Sequence, residues 1–313
     1  MLGKTANGLF WMSRYLERAE NTVRLIETGQ RIALTRSGAS DDDWTSVLQT
    51  AGALGAYKEA HDEVTRDQAI DWMLRAGDNP SSVLSTIKTA RQNARTVRTA
   101  ITGEVWEATN AIYMYACDTL RRKVGERDLQ EVLGHVRRRT ALVRGVTHGT
   151  MLRNDIYDFA RLGTFLERAD NTARILDVKY YVLLPSVRAV GSAIDNVQWE
   201  TILRSVSAQG GFRMEYGNAT EPRDIAHFLI LDRRMPRSLA FCIGKICDNL
   251  GYLAASYGTQ PTSLQRAIKM QQKKLSGDMD AIFDSGLHEF IQDFLSDLAD
   301  LGGQIQTDYR FVE

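Results

Sequence analysis

Apolar residues recur along this chain in steps of three and four, and strand-like alternation is scarce. Leu9, Met12, Leu16, Ala19, Val23 and Ile26 fall on one stripe, which predicts a helix over about 5–36. Gly38 and Ser40 end that pattern, and DDDW at 41–44 reads as a cap and a new start. One or two helices follow over about 43–75, then DNPSS at 78–82 marks a loop. Further helices are predicted over about 81–100, 104–122, 128–143, 153–183, 196–207, 223–232, 236–256, 262–275 and 278–309. Pro185 should stop the helix before it, and GGF and YGNATEP within 210–222 read as turns. The expectation is an all-α protein, a multi-helix bundle larger than four helices.

Composition narrows the classes. The 313 residues carry 39 Lys and Arg against 39 Asp and Glu, a net charge of zero that gives no support for bulk nucleic-acid binding. The first residues run straight into charged helix-like sequence, without a signal-peptide h-region, and no run has the length of a membrane span. Cys117, Cys242 and Cys247 form no metal-ligand spacing and, being three, cannot all pair within the chain. A cytoplasmic protein away from membranes is expected.

One stretch occurs twice. LERAENTVR at 16–24 returns as LERADNTAR at 166–174, and Leu16–Glu27 and Leu166–Asp177 share seven of twelve positions. The echo suggests one 1–313 region built from two related halves, 1–150 and 151–313. On a helical wheel, Arg14, Glu20, Asn21 and Arg24 lie within about 60° of Glu17. Glu167, Asp170, Asn171 and Arg174 reproduce most of that stripe. Each copy thus has an apolar face and a compact acid–amide–base face. Two readings stay open. The stripes could form a mutually satisfied network that fixes helix register, or they could line a cleft for an anionic or zwitterionic ligand. Arg18 and Arg168 lie about 100° from the two glutamates and should reach a neighbouring helix instead.

The repeated LERAEN and LERAD segments resemble the alpha-E domain family, also called DUF403. NGLFWMSRYLERAENTVRLIE, DNPSSV, ARQNARTVR, ITGEVWEATN, DFARLGTFLERADNTARILD and LILDRRMPRSLAFCI extend the likeness over essentially the full chain. Arg14 fits the first family block, while Thr164 departs from the arginine-like position in the second. The resemblance implies a helical cytoplasmic protein acting beside a circularly permuted ATP-grasp protein, with a transglutaminase-like protein as a further partner. It also implies a part in ATP-dependent peptide or amino-acid ligation or modification. The chain itself has no P-loop and no glycine-rich phosphate cradle, so ATP and Mg2+ are expected on the partner and no intrinsic cofactor is predicted. The expected role is a substrate-positioning component, with a non-catalytic scaffold as the alternative.

Weaker candidates lie elsewhere. His148 reads as a loop histidine that caps a helix, or as an acid–base group oriented by Asp155 and Tyr157. Asp232, Arg233 and Arg237, around the Met235–Pro236 bend, could engage a carboxylate or phosphate, or complete an ion-pair network. Arg137–Arg139 read as a solvated surface. HEF at 288–290 is not HExxH, and the Glu-x-x-His pattern of a di-iron bundle is missing, so no metal site is expected.

Overall fold

The computed structural model describes residues 1–35, 41–182, 193–217 and 221–311, with side chains described outside 32–43 and 178–198. Among the described residues there are fifteen helices and no strand. In order they are α1 (Gly3–Thr35), α2 (Asp41–Thr50), α3 (Leu54–Ala60), α4 (Arg66–Arg75) and α5 (Val83–Thr96). Next come α6 (Gly103–Thr119), α7 (Glu126–Thr150), α8 (Asp155–Val182), α9 (Ala193–Ser205) and α10 (Gln209–Tyr216). The chain ends with α11 (Pro222–Ile230), α12 (Leu239–Tyr257), α13 (Thr262–Lys274), α14 (Met279–Ser285) and α15 (Leu287–Asp308). None of the described helices is long and apolar enough to cross a membrane.

The two helices that carry the repeated segment, α1 and α8, pack along each other in the same direction. Their apolar stripes are buried: Leu9, Met12, Leu16, Ala19, Val23 and Ile26 on one, Leu162, Leu166, Ala169, Ala173 and Leu176 on the other. Close approach depends on Gly163, where a side chain would run into the backbone carbonyl of Phe10. Each central helix has its own escort. Helix α5 lies along α1 and α12 along α8, while α7 contacts α1 and α15 contacts α8. Side-chain caps start both escorts: Ser82 accepts from the Ser85 N–H and Ser238 from the Phe241 N–H. At one end of the pair, Phe311 packs edge-on against Phe10 and Phe159, and Tyr309 against Phe159.

Several predicted boundaries differ. The 43–75 stretch is three helices, because Gly52 at φ 66° turns the chain after α2 and Thr65 caps a new start by accepting from the Gln68 N–H. The 210–222 stretch is not all turn: Gln209–Tyr216 is helical, and Gly217 at φ 75° ends it. Gly286, at φ 91°, splits the single helix expected over 278–309. Helix α7 runs on past Val143 to Thr150, which places His148 in its last turn and not in a loop. The predicted stops at Gly38–Ser40 and Pro185 lie outside the described residues.

Candidate functional site

The two Glu–Arg dipeptides grip each other. Arg18 on α1 donates from Nε and Nη2 to the two carboxylate oxygens of Glu167 on α8, at 2.5 and 2.9 Å. Arg168 returns the contact to Glu17 at 3.0 and 3.1 Å. These are two fork-to-fork pairs across one helix interface, a geometry that fixes register as well as distance. Residues about 100° off the stripe point across at a helix lying alongside. The expectation that Arg18 and Arg168 reach a neighbouring helix is met, with the repeat's own partner copy as that neighbour.

Beyond the forks, the two stripes differ. On the α1 side the acids are closed in. Glu17 and Glu20 are each about 1% exposed. Arg24, one turn on, donates to Glu20 at 3.0 and 2.8 Å. Arg237, in the bend before α12, reaches Glu20 at 3.0 Å, Glu17 at 3.1 Å and the Asn21 Oδ1 at 3.2 Å. From α7, Arg144 adds an ion pair with Glu20 and Thr140 donates to it at 3.0 Å. The backbone carbonyl of Arg237 is itself held by the Thr172 hydroxyl at 2.9 Å. Burial pushes the Glu17 carboxyl up, but Arg168, Arg237 and Arg144 outweigh it and hold it well below the usual carboxylate range. Burial and the Glu17 charge push Glu20 up; Arg237, Arg144 and Arg24 bring it down on balance. Burial pulls Arg237 down to about 10, which still leaves it charged at neutral pH.

On the α8 side the acids open onto a cavity of about 470 Å³. Glu167 takes Arg14 at 2.9 Å in addition to Arg18, and against the upward push of burial those two charges lower its carboxyl. Among the described residues Asp170 is paired with Arg174, at 2.7 and 3.1 Å. The cavity is walled by α1, the Gly52 turn, Ser81 before α5, α8, and the α15 residues Leu298, Ala299, Gly302 and Gly303. Three guanidinium groups, Arg14, Arg18 and Arg174, and two carboxylates, Glu167 and Asp170, therefore share one concave wall. Asn21 and Asn171 also line it, and the Nδ2 of each is buried with no acceptor among the described residues. For Asn21 the amide orientation is set, because its Oδ1 accepts from Arg237. A buried donor left unpaired costs about 1–3 kcal/mol, so these two amides are weak points of the packing just behind the cavity wall.

The other predicted residues scatter. His148 Nδ1 meets the Tyr157 hydroxyl at 2.9 Å, as expected of Tyr157. Asp155 does not orient His148; its carboxylate accepts from the Tyr257 hydroxyl at 2.7 Å. The hollow beside His148 holds about 30 Å³, room for a water and not for a substrate. Asp232 turns inward to cap its own bend, accepting from the Arg234 and Met235 N–H groups at 2.6 and 3.1 Å. Arg233 is exposed. Arg237, a minor candidate in the sequence, is central to the closed cage. Arg144 and Thr140 were not singled out, since nothing repeated marks them. Among the described residues no three His, Cys, Asp or Glu side chains gather as a metal site, and burial raises the Cys242 thiol to about 12 and the Cys247 thiol to about 11.

No curated protein and no solved structure matches the chain. A family model does, over residues 1–309: Alpha-E, described as a predicted alpha-helical domain with a conserved ER motif. Glu17–Arg18 and Glu167–Arg168 both carry that dipeptide, and by this match over nearly its whole length the chain belongs to the Alpha-E family.

Proposed function

We propose that this protein is a substrate-positioning component of an ATP-dependent peptide or amino-acid ligation system, and that its ligand sits in the α8-side cavity. The observation that carries the reading is the convergence of Arg14, Arg18, Arg174, Glu167 and Asp170 on one concave wall, with Asn21 and Asn171 beside them. A carboxylate or peptide carbonyl can share the N–H groups of those arginines, and Asp170 retains lone pairs for an amine. The volume suits an amino acid or short peptide, within the range of small-molecule sites. The cavity offers positioning groups, with no nucleophile–base pair in its wall. Activation of a carboxylate as an acyl phosphate therefore falls to a partner of the ATP-grasp type, with ATP and Mg2+ bound there. In this scheme the amine attacks the acyl carbon, phosphate leaves and an amide forms, while this chain holds one reactant in place.

A second reading, a non-catalytic scaffold, draws on the closed Glu17–Glu20 cage, which needs no ligand to satisfy its charges. One assay separates the two. Purified chain, ATP-grasp partner, ATP and a panel of amino acids or peptides are combined, and product mass and phosphate release are followed with and without the chain. Arg174→Gln, at the partly exposed cavity rim, should cut ligand binding and product at least tenfold with little change in unfolding midpoint. Full turnover with that variant favours the scaffold, and full turnover without the chain ends both readings.

A further inference from the structure

Among the described residues the two sides of the repeat differ by one cation. The closed side sets four guanidinium groups, Arg24, Arg144, Arg168 and Arg237, on Glu17 and Glu20. The open side sets three, Arg14, Arg18 and Arg174, on Glu167 and Asp170. Most members have a counterpart. Arg18 answers Arg168 in the forks, and Arg174 answers Arg24 within each helix. Arg14 does for Glu167 what Arg144 does for Glu17 and Glu20, entering beside Gly302, where an added Cβ would lie 3.9 Å from its Nη1. Among the described residues only Arg237 has no answer.

The sequence shows what stands in its place. Pro236–Arg237–Ser238 leads into α12, whose cap is Ser238; Pro80–Ser81–Ser82 leads into α5, whose cap is Ser82. Those helices escort α8 and α1 respectively. The turns beside the two in-helix arginines also correspond: Ser207, at φ 54°, accepts from Arg24, and Gly52, at φ 66°, lies next to Arg174. Ser81 therefore occupies the Arg237 position, and Ser81 lines the cavity. The cavity is the closed cage with its last guanidinium missing.

We propose that the cavity receives the guanidinium of an arginine side chain from its ligand, held by Asp170, Asn171 and Glu167 as Arg237 is held by Glu20, Asn21 and Glu17. The inference rests on the cavity being a ligand site and adds the substrate class: an arginine-bearing amino acid or peptide whose carboxylate meets the arginines of the rim. Three guanidinium groups already present do not forbid a fourth, because the closed side carries four on its own two acids, Glu17 and Glu20. A guanidinium fits better than an ammonium, since Arg237 spreads two nitrogens over three acceptors.

The test is calorimetric titration of the full chain with the dipeptides Ala-Arg, Ala-citrulline, Ala-Lys and Ala-Glu. Ala-Arg should bind at least tenfold tighter than its neutral isostere Ala-citrulline, and tighter than Ala-Lys. Ser81→Arg should fill the cavity from within, removing Ala-Arg binding while keeping or raising the unfolding midpoint. Asp170→Asn should bring the Ala-Arg and Ala-citrulline affinities within about twofold, which keeps the idea testable if Ser81→Arg does not fold. Equal affinities in the parent chain, or undiminished Ala-Arg binding by folded Ser81→Arg, overturns the proposal. Binding of Ala-Glu alone overturns the cation assignment and leaves the carboxylate site standing. Failure of every dipeptide to bind overturns this proposal and the cavity reading together.

Discussion

Replacing Arg237 with alanine is the most direct probe of the closed cage. Arg237 is about 6% exposed and makes polar contacts of 3.0, 3.1 and 3.2 Å to Glu20, Glu17 and Asn21. Its loss removes one charge from two carboxylates that water does not reach, and leaves the Asn21 amide with neither end paired by a described side chain. Removing one member of a buried charged network costs about 3–5 kcal/mol. Glu17 keeps Arg168, and Glu20 keeps Arg24, Arg144 and Thr140, so the lower end of that range is expected. Arg233→Ala, four residues away and exposed, should stay within about 0.5 kcal/mol. Unfolding should be followed in urea and not in guanidinium chloride, whose cation could occupy the vacated place. A double-mutant cycle with Glu20→Gln should then give a coupling of about 0.5–3 kcal/mol. If Arg237→Ala unfolds within about 0.5 kcal/mol of the parent chain, Arg237 is not a paired member of a buried charged network.

Three further outcomes follow from the same geometry. Glu17, Glu20 and Glu167 all have folded pKa values below their usual 4.5, so the stability they contribute is full above about pH 4.5 and is lost as pH falls through the folded values. Urea midpoints should drop steeply on acidification below that point, and an unchanged midpoint down to pH 3 would contradict it. Burial and the Asp155 charge raise Asp158 from 3.8 to about 6, so its contribution is full below 3.8 and is lost as pH rises through about 6. Asp158→Asn should therefore stabilise by about 1–3 kcal/mol at pH 8 and by little at pH 4, read from paired melts. Gly163→Ala should destabilise by about 1–3 kcal/mol or more, because its Cβ meets the Phe10 backbone. Gly145→Ala, helical and open around its Cβ, should be neutral or slightly stabilising.

The fold was legible where periodicity is long. The α1 and α8 stripes, and the halt before Pro80, follow from spacing and turn chemistry. Three of the misread boundaries lie at residues with positive φ: Gly52, Gly217 and Gly286 break or end helices by backbone geometry that apolar spacing does not encode, while α7 outruns Val143 because Gly145 and Gly149 stay helical. At the site, the repeat identified Glu17, Glu20, Glu167 and Asp170 because both copies carry them. It understated Arg18 and Arg168, although both lie inside the repeated segment, because a wheel drawn for one helix ranks residues by angle and ignores the helix beside it. Arg144 and Thr140 come from a helix more than a hundred residues away in sequence, and no local pattern points from them to Glu20.

The asymmetry between the two sides bears on why the chain keeps both. A cage that pairs its own charges gives little net stability for its burial, since desolvation offsets much of the attraction. What it does supply is register. The forks between Glu17–Arg168 and Glu167–Arg18 cross the same interface, so the closed side fixes α1 against α8 before any ligand arrives. The cavity on the other side is built on those two helices. Arg14, Arg18, Asp170 and Arg174 thus stand at set distances without contribution from the ligand, and less ordering is left for binding to pay. On this argument Arg237 and the cavity are one device. The guanidinium of Arg237 holds the frame on one side, and a small residue, Ser81, leaves the matching place empty on the other. Arg144→Gln, which loosens the closed cage at a residue outside the cavity lining, should weaken Ala-Arg binding in the cavity with the chain still folded, and unchanged affinity in calorimetric titration would refute the coupling.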